Sequence, residues 1–263
     1  MTASPSPPSA SAQGGGPRGG RPLRLNRYLA LCGVAARRQA MALIFAGRVQ
    51  VNGTVAGDPG LEVRSGLDRV ELDGELIAPP ERWRYYAFHK PRGVIVTARD
   101  ELGRTGIEPF LRKVHDRVFP VGRLDRASEG LLLVTNHGAL AHALLHPRAR
   151  IEKVYHVRVA PRPGVGQVER IERGVPIGYG EWSGPARVRV RRAARGGAWL
   201  SIVLTEGKKR EVRRICRAVG LRVLQLTRVS FAGIRLGELP GGSLRPLDRG
   251  EIEHLRDLTG LEL

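Results

Sequence analysis

Gly122-Arg123-Leu124-Asp125-Arg126-Ala127-Ser128-Glu129-Gly130 sets one carboxylate between two arginines in a glycine-bounded loop, directly ahead of the solid apolar run Leu131-Leu132-Leu133-Val134. Four consecutive apolar residues after a glycine-containing turn predict a fully buried strand. Asp125 then stands near the edge of a sheet, where a substrate can reach it. Its positive neighbours favour the ionised carboxylate, the form needed by a nucleophile or by an anion that steadies a developing cation. An isolated aspartate in such a turn more often caps its own backbone, so the rest of the chain has to decide between the two roles.

The 263 residues leave room for a large core and two domains. A net charge of +19 calls for a polyanionic partner, with nucleic acid the first candidate. Aromatic residues make up only 5% of the chain, so phosphate contacts and shape, rather than stacked aromatics, are expected to dominate recognition. Cys32 and Cys216 lie in no metal or redox spacing and are expected to be reduced thiols. No apolar run approaches membrane-spanning length and no hydrophobic signal segment opens the chain, which predicts a soluble cytoplasmic protein.

Residues 1–21 are rich in Ser, Pro and Gly and hold no acidic residue, the composition of a disordered tail in which Arg18 and Arg21 are the cations. A first compact unit is expected over 22–80. Leu25, Tyr28, Leu29 and Cys32 recur at helical spacing before Gly33 ends the helix, and Ala36 to Phe45 carries Ala40, Leu43 and Ile44 on one face of a second helix. Ala46 to Gly53 then reads as turn, strand, turn. Arg37-Arg38, Leu43-Ile44, Gly47-Arg48-Val49 and Val51-Asn52-Gly53 together resemble the ribosomal-protein-S4-like RNA-binding domain over Leu23 to Leu76. That resemblance implies RNA contacts at Arg37, Arg38, Arg48 and Asn52. The chain departs from the family pattern at Ala36, which lacks the capping oxygen of the usual serine, and at Gln39 and Met41, where acidic residues are expected.

Pro79-Pro80 reads as a linker to a second unit over 81–263. Trp83 to Phe88 and Gly93 to Thr97 are apolar enough for two strands around Lys90-Pro91-Arg92-Gly93, and Ala139 to Leu145 has helical spacing. Lys153 to Val159 alternates as a half-buried strand with Tyr155 on the face of Val157 and Val159, so a core tyrosine and a functional one are both open readings. Arg187-Val188-Arg189-Val190-Arg191 alternates strictly, predicting one buried face and one arginine face. Leu200, Ile202 and Leu204 form a further strand. Beyond it Val212, Ile215, Cys216 and Val219 mark a helical face, with Arg213 at its border and Arg214 pointing toward solvent or phosphate.

The ordered set Gly122-Arg123-Leu124-Asp125, Gly130-Leu131-Leu132, Lys153-Val154-Tyr155 and Glu206-Gly207-Lys208-Lys209-Arg210-Glu211-Val212-Arg213-Arg214 resembles the bacterial ribosomal RNA pseudouridine synthases of the RsuA/RluB type, over Trp83 to Leu247. The resemblance implies that Asp125 is the catalytic aspartate, Tyr155 the tyrosine over the target base and Arg213 the ion-pair partner of Asp125. It also implies that Arg123 holds the space left by an extruded nucleotide and that Lys208, Lys209 and Arg214 meet RNA. The expected fold is α+β: a small S4-like domain, then a synthase domain on a mixed, largely antiparallel sheet crossed by the active-site cleft. Uridine must lose its N1–ribose bond, turn and rejoin through C5, which requires a flipped base and an anionic aspartate. No cofactor or metal is implied. The expected partner is ribosomal RNA, more in the pattern of the large subunit, as RNA or as an assembling particle, and the expected enzyme is a monomer.

Three other classes compete. A hydrolytic glycosylase would use Glu129 as its second carboxylate, a metallohydrolase would use His142 and His146 at i,i+4 spacing, and a non-catalytic RNA-binding assembly protein would need only the charge and the N-terminal unit.

Overall fold

The computed structural model describes residues 22–35, 37–97, 103–114 and 116–263, so the expected disordered tail and the Ala36 helix start lie outside the described residues. The N-terminal unit comprises β1 (Leu23–Arg24), α1 (Leu25–Leu31), α2 (Arg37–Phe45), β2 (Val49–Val51), β3 (Thr54–Val55), β4 (Glu62–Val63), β5 (Val70–Leu72) and β6 (Glu75–Leu76). α1 buries Leu25, Tyr28 and Leu29 at the expected spacing, and α2 turns Ala40 and Ile44 inward. These residues meet Val49, Val63 and Val70 in one core. Four strands pair antiparallel in the order β3-β2-β5-β6. Asn52-Gly53 joins β2 to β3 with both residues at positive φ, the two-residue turn whose twist matches the strands. The same chemistry recurs at Asp73-Gly74 between β5 and β6, a second hairpin beyond the one expected.

The larger unit runs β7 (Tyr85–Lys90), α3 (Glu108–Leu111), β8 (Phe119–Pro120), β9 (Glu129–Thr135), α4 (Gly138–Leu145), β10 (Lys153–Ala160), α5 (Val165–Arg173), β11 (Pro176–Gly178) and β12 (Glu181–Trp182). It continues through β13 (Arg187–Ala194), β14 (Gly197–Leu204), α6 (Glu211–Ala218), β15 (Arg222–Phe231), β16 (Ile234–Arg235), β17 (Leu244–Pro246) and α7 (Arg249–Thr259). Its nine-stranded sheet follows the order β13-β14-β10-β15-β9-β7-β17, with β16 on β15 and β8 on β9. Every pairing is antiparallel except β15 with β9, where Thr227 lies beside Glu129 and Arg228 beside Gly130.

The apolar run of β9 is buried on both faces because the strand lies inside this sheet. Leu131 and Leu133 pack with Leu140, Leu144 and Leu255, whereas Leu132 and Val134 pack with Phe88 and Ile107. A third cluster, including Leu200, Ile202, Ile215 and Cys216, fills the space between α6 and the β10–β14 side of the sheet. Two expectations need correction. Gly93 to Thr97 forms no strand beyond a single bridge from Ile95 to Gly106, because the segment is folded around the Lys90 ammonium. β13 buries Val188 but leaves Val190 45% exposed, since it is an edge strand whose register shifts between Val190 and Arg192.

Candidate active site

The loop carrying Asp125 is bounded at both ends by glycines at positive φ. Gly122 has φ +77°, and a Cβ there would meet Leu145 at 2.9 Å; Gly130 has φ +113° and lies against the Arg228 backbone, so a Cβ would overlap main-chain atoms. Between them the Ser128 N–H donates to the Asp125 carbonyl at 3.0 Å, closing a turn. The loop is tied to the Lys90–Gly93 turn, as Gly93 N–H donates to the Arg126 carbonyl at 2.8 Å and Arg126 Nε returns a bond to the Gly93 carbonyl at 3.2 Å. Lys90 is fully buried beneath this junction and donates to the carbonyls of Pro91 and Val94 at 2.8 and 2.7 Å. Burial lowers its pKa to about 8, against the opposing pull of the Asp125 and Glu129 charges.

Asp125 lines a cavity of about 680 Å³ that also takes in Tyr155 from β10, Arg228 from β15, Glu211 and Val212 from the start of α6, and the loop residues Lys208 and Lys209. Six cations (Arg123, Lys153, Lys208, Lys209, Arg210, Arg228) and three carboxylates (Asp125, Glu206, Glu211) line it, so the cavity is positive. The excess is larger than the count implies, because Glu211 has its pKa raised to about 7 by burial and by the charge of Glu206. Burial opposes ionisation of Glu206 as well, but a hydrogen bond from Lys208, the Gly184 N–H and the neighbouring Glu211 hold it below its ordinary value. Apolar Leu204, Val212, Leu226 and Phe231 complete the lining. Such a cavity has apolar walls suited to a base and cations suited to phosphates, with the Asp125 carboxylate at its edge.

The expected site residues divide by position. Asp125, Tyr155, Arg123, Lys208 and Lys209 all reach the cavity. Arg213 approaches it but is not ion-paired with Asp125. Its Nη2 donates to the Ala127 carbonyl at 2.9 Å, so it grips the backbone of the loop. The Asp125 charge still supports its proton, against burial and the repulsion of Arg210 and Arg92. Arg214 is also corrected: it donates to the carbonyls of Ile177 and Gly178 and pairs with Glu181 at 2.6 Å. It therefore fastens α6 to the β11–β12 hairpin and is not free for phosphate. Lys208 reaches the cavity while its ammonium is held by the Trp182 carbonyl and by Glu206.

In the N-terminal unit Arg37 and Arg38 are exposed on the first turn of α2. Arg48 is half-exposed and pairs with Asp73 through two bonds, of 2.9 and 2.5 Å. Asn52 is exposed, donates to Asp68 and accepts from the Arg69 N–H, so its side chain holds the hairpin.

Sequence reasoning passed over Arg228, Lys90 and Glu211. Arg228 had a signal: it alternates with Leu226 on the buried face of β15, where a charged residue is out of place. Glu129 accepts from Gln225 and Thr227 and does not line the cavity, which removes the second carboxylate of the hydrolytic reading. His142 and His146 stand 5.5 Å apart ring to ring, and no group of three or more His, Cys, Asp or Glu that could hold a metal ion occurs among the described residues. Among those residues no helix is long and apolar enough to cross a membrane.

The family model for RNA pseudouridylate synthases matches residues 84–218, the segment holding Asp125, Tyr155 and Arg213, and the S4 domain model matches residues 23–68. The chain belongs to the RNA pseudouridylate synthase family. This synthase is 38% identical to an uncharacterized RNA pseudouridine synthase of Aquifex aeolicus over 91% of this chain and 96% of that one. It is also 38% identical to the ribosomal large subunit pseudouridine synthase B of Bacillus subtilis, over 90% of this chain and 96% of that one. A pseudouridylate synthase of known crystal structure is 27% identical and superimposes with a TM-score of 0.63, covering 89% of this chain and 99% of its own. The synthase is thus an isomerase of RNA uridine preceded by an S4 domain, as its motifs imply.

Proposed function

We propose that this synthase converts one uridine of large-subunit ribosomal RNA to pseudouridine, with Asp125 as the catalytic aspartate and the target nucleotide flipped into the cavity. The observation that carries the reading is the meeting of Asp125 and Tyr155 in one positive cavity. The reaction breaks the N1–C1′ bond, turns the uracil and joins C5 to C1′, while the proton on C5 is lost and N1 gains one. An ionised aspartate serves this either by attacking C1′ or by removing a ribose proton, and either route needs it bare and close to the sugar. Arg213 would hold the loop through Ala127 so that the carboxylate stays aimed, and Tyr155 would stack on the uracil and move protons.

The domain at residues 22–80 would grip RNA through Arg37, Arg38 and Arg48, the domain at 81–263 would carry the chemistry, and Arg123 and Lys209 would meet RNA at the cavity. The ribosomal substrate is supported by the Bacillus subtilis relative. The enzyme would work as a monomer in the cytoplasm. The test is carbodiimide-dependent mapping of pseudouridine in ribosomal RNA from cells with and without the gene. Loss of one large-subunit stop is the expected result; an unchanged map would overturn the reading. Asp125→Asn is expected to restore no stop while the purified variant binds the same RNA fragment as the wild type.

A further inference from the structure

Arg228 is a buried cation with no anion to explain it. It is 3% exposed, it forms no ion pair among the described residues, and one of its nitrogens, Nη2, is buried without a hydrogen-bond partner. Its Nε donates to the Leu131 carbonyl at 2.7 Å, and its guanidinium lies 4.9 Å from the centre of the Phe231 ring. A guanidinium keeps its proton at any ordinary pH, so burying one without a carboxylate is unfavourable unless its charge has another use.

The register of the sheet shows what the charge faces. Arg228 on β15 is the direct partner of Tyr155 on β10 and of Gly130 on β9. It therefore joins the strand that leaves the Asp125 loop to the strand that carries the tyrosine. Directly opposed residues bring their side chains within about 5.5 Å. The two residues line the same cavity, and the Tyr155 phenol favours the charged guanidinium against the burial that lowers its pKa. The other charged groups around the pair are Lys153 on β10, Asp125 on its loop, Glu206 in the loop after β14 and Glu211 at the start of α6.

We propose that Arg228 is a positioning residue for Tyr155, a fixed donor that commits the phenol oxygen as an acceptor and so directs its proton-transferring side toward the flipped uracil. The inference rests on the reading of Asp125 and Tyr155 given above. A guanidinium only donates, so a hydrogen bond between the two leaves the tyrosine oxygen as acceptor and its own proton free to point into the cavity. When the phenol has lost that proton, the same cation holds the phenolate in place. In the last step of the isomerisation the C5 proton passes to the phenolate oxygen, the C–H electron pair closes the C5–C6 double bond and the pair of the N1–C6 double bond moves onto N1. N1 takes up a proton from water, and the phenol returns one to the hydroxide left behind, so charge and atoms balance.

The test compares wild-type enzyme with Arg228→Gln on an rRNA fragment carrying protium or deuterium at C5 of the target uridine. Arg228→Gln is expected to lower kcat by about 10²-fold, the scale of a misaligned acid–base group, with unchanged RNA affinity. An isotope effect that is small or absent in the wild type is expected to appear at C5. Arg228→Lys, which keeps the charge but not the forked donor, is expected to fall between the two in both readouts. In a Tyr155→Phe background, Arg228→Gln is expected to add no further loss.

A fall in kcat without the C5 isotope effect, or losses that multiply in full with Tyr155→Phe, would show that Arg228 only braces the sheet and would overturn the inference. If Arg228→Gln does not fold, Arg228→Lys decides: an intermediate kcat with the isotope effect supports the role, and any other result overturns it. Wild-type enzyme that is active while the variants behave in these contrary ways overturns this inference alone. Inactive wild-type enzyme overturns the function as well.

Discussion

Among single residues, Glu211 gives the clearest link between environment and behaviour. Only 4% exposed, with Oε1 lacking a hydrogen-bond partner, it is favoured in its protonated form by burial first and by Glu206 second. Its pKa rises on folding from the ordinary carboxylate range to about 7, so the folded state binds the extra proton between those values. That contribution to stability is fully present below the ordinary carboxylate pKa and is lost as pH rises through about 7. Denaturant titrations at several pH values are expected to show wild-type stability declining across that window. Glu211→Gln, which mimics the neutral acid, is expected to flatten the decline and to be more stable at alkaline pH by about 1 kcal/mol. A variant that keeps the wild-type slope would assign the dependence to another group.

Within the elements, the parallel contact between β9 and β15 calls for a direct test, because it is the one place among the described residues where the sheet departs from antiparallel pairing. Gly130 has φ +113° and an added Cβ would enter the Arg228 main chain. Gly53 also has positive φ, at +80°, but a Cβ there meets nothing within 4 Å. Gly53→Ala is therefore expected to cost only the left-handed backbone penalty, about 1 kcal/mol. Gly130→Ala is expected to cost about 4 kcal/mol or more, by strain and by displacement of β15. Urea midpoints of the two variants measure the contrast, and similar midpoints would mean that the strands separate easily. The same contact ties the loop bearing Asp125 to Arg228, so an element-level fault here also moves the site.

For the molecule as a whole, the net charge of +19 predicts RNA binding that weakens steeply with salt as phosphates give up their counterions. The cations are not interchangeable in this respect. Arg214 is committed to Glu181 and to backbone carbonyls, whereas Arg37 and Arg38 are exposed on α2. Replacing Arg37 and Arg38 together by alanine is expected to reduce the slope of log affinity against log salt by about 2, one for each phosphate contact. The turnover at saturating RNA is expected to stay unchanged. A salt series by fluorescence anisotropy reads this, and an unaltered slope would place the RNA on another face.

The residue pattern alone determined where buried and exposed segments alternate, and so the order of most elements and the identity of the apolar strand behind Asp125. Its ordered motifs, Gly122 to Gly130, Lys153 to Tyr155 and Glu206 to Arg214, pointed to the reaction class through their resemblance to the ribosomal RNA pseudouridine synthases of the RsuA/RluB type. The partners of long side chains were not legible. Whether Arg213 reaches Asp125 or the Ala127 carbonyl depends on where α6 lands against a loop 86 residues earlier, and Arg214 finds carbonyls on a hairpin that no local pattern links to it. Gly93 to Thr97 reads as a strand from its apolar content, yet the buried ammonium of Lys90 takes the Val94 carbonyl and the segment wraps around it. Only the tertiary structure decided that Arg228 lies between Tyr155 and Gly130, since strand register is set by which faces can be buried together across the whole sheet and not by any neighbour in sequence.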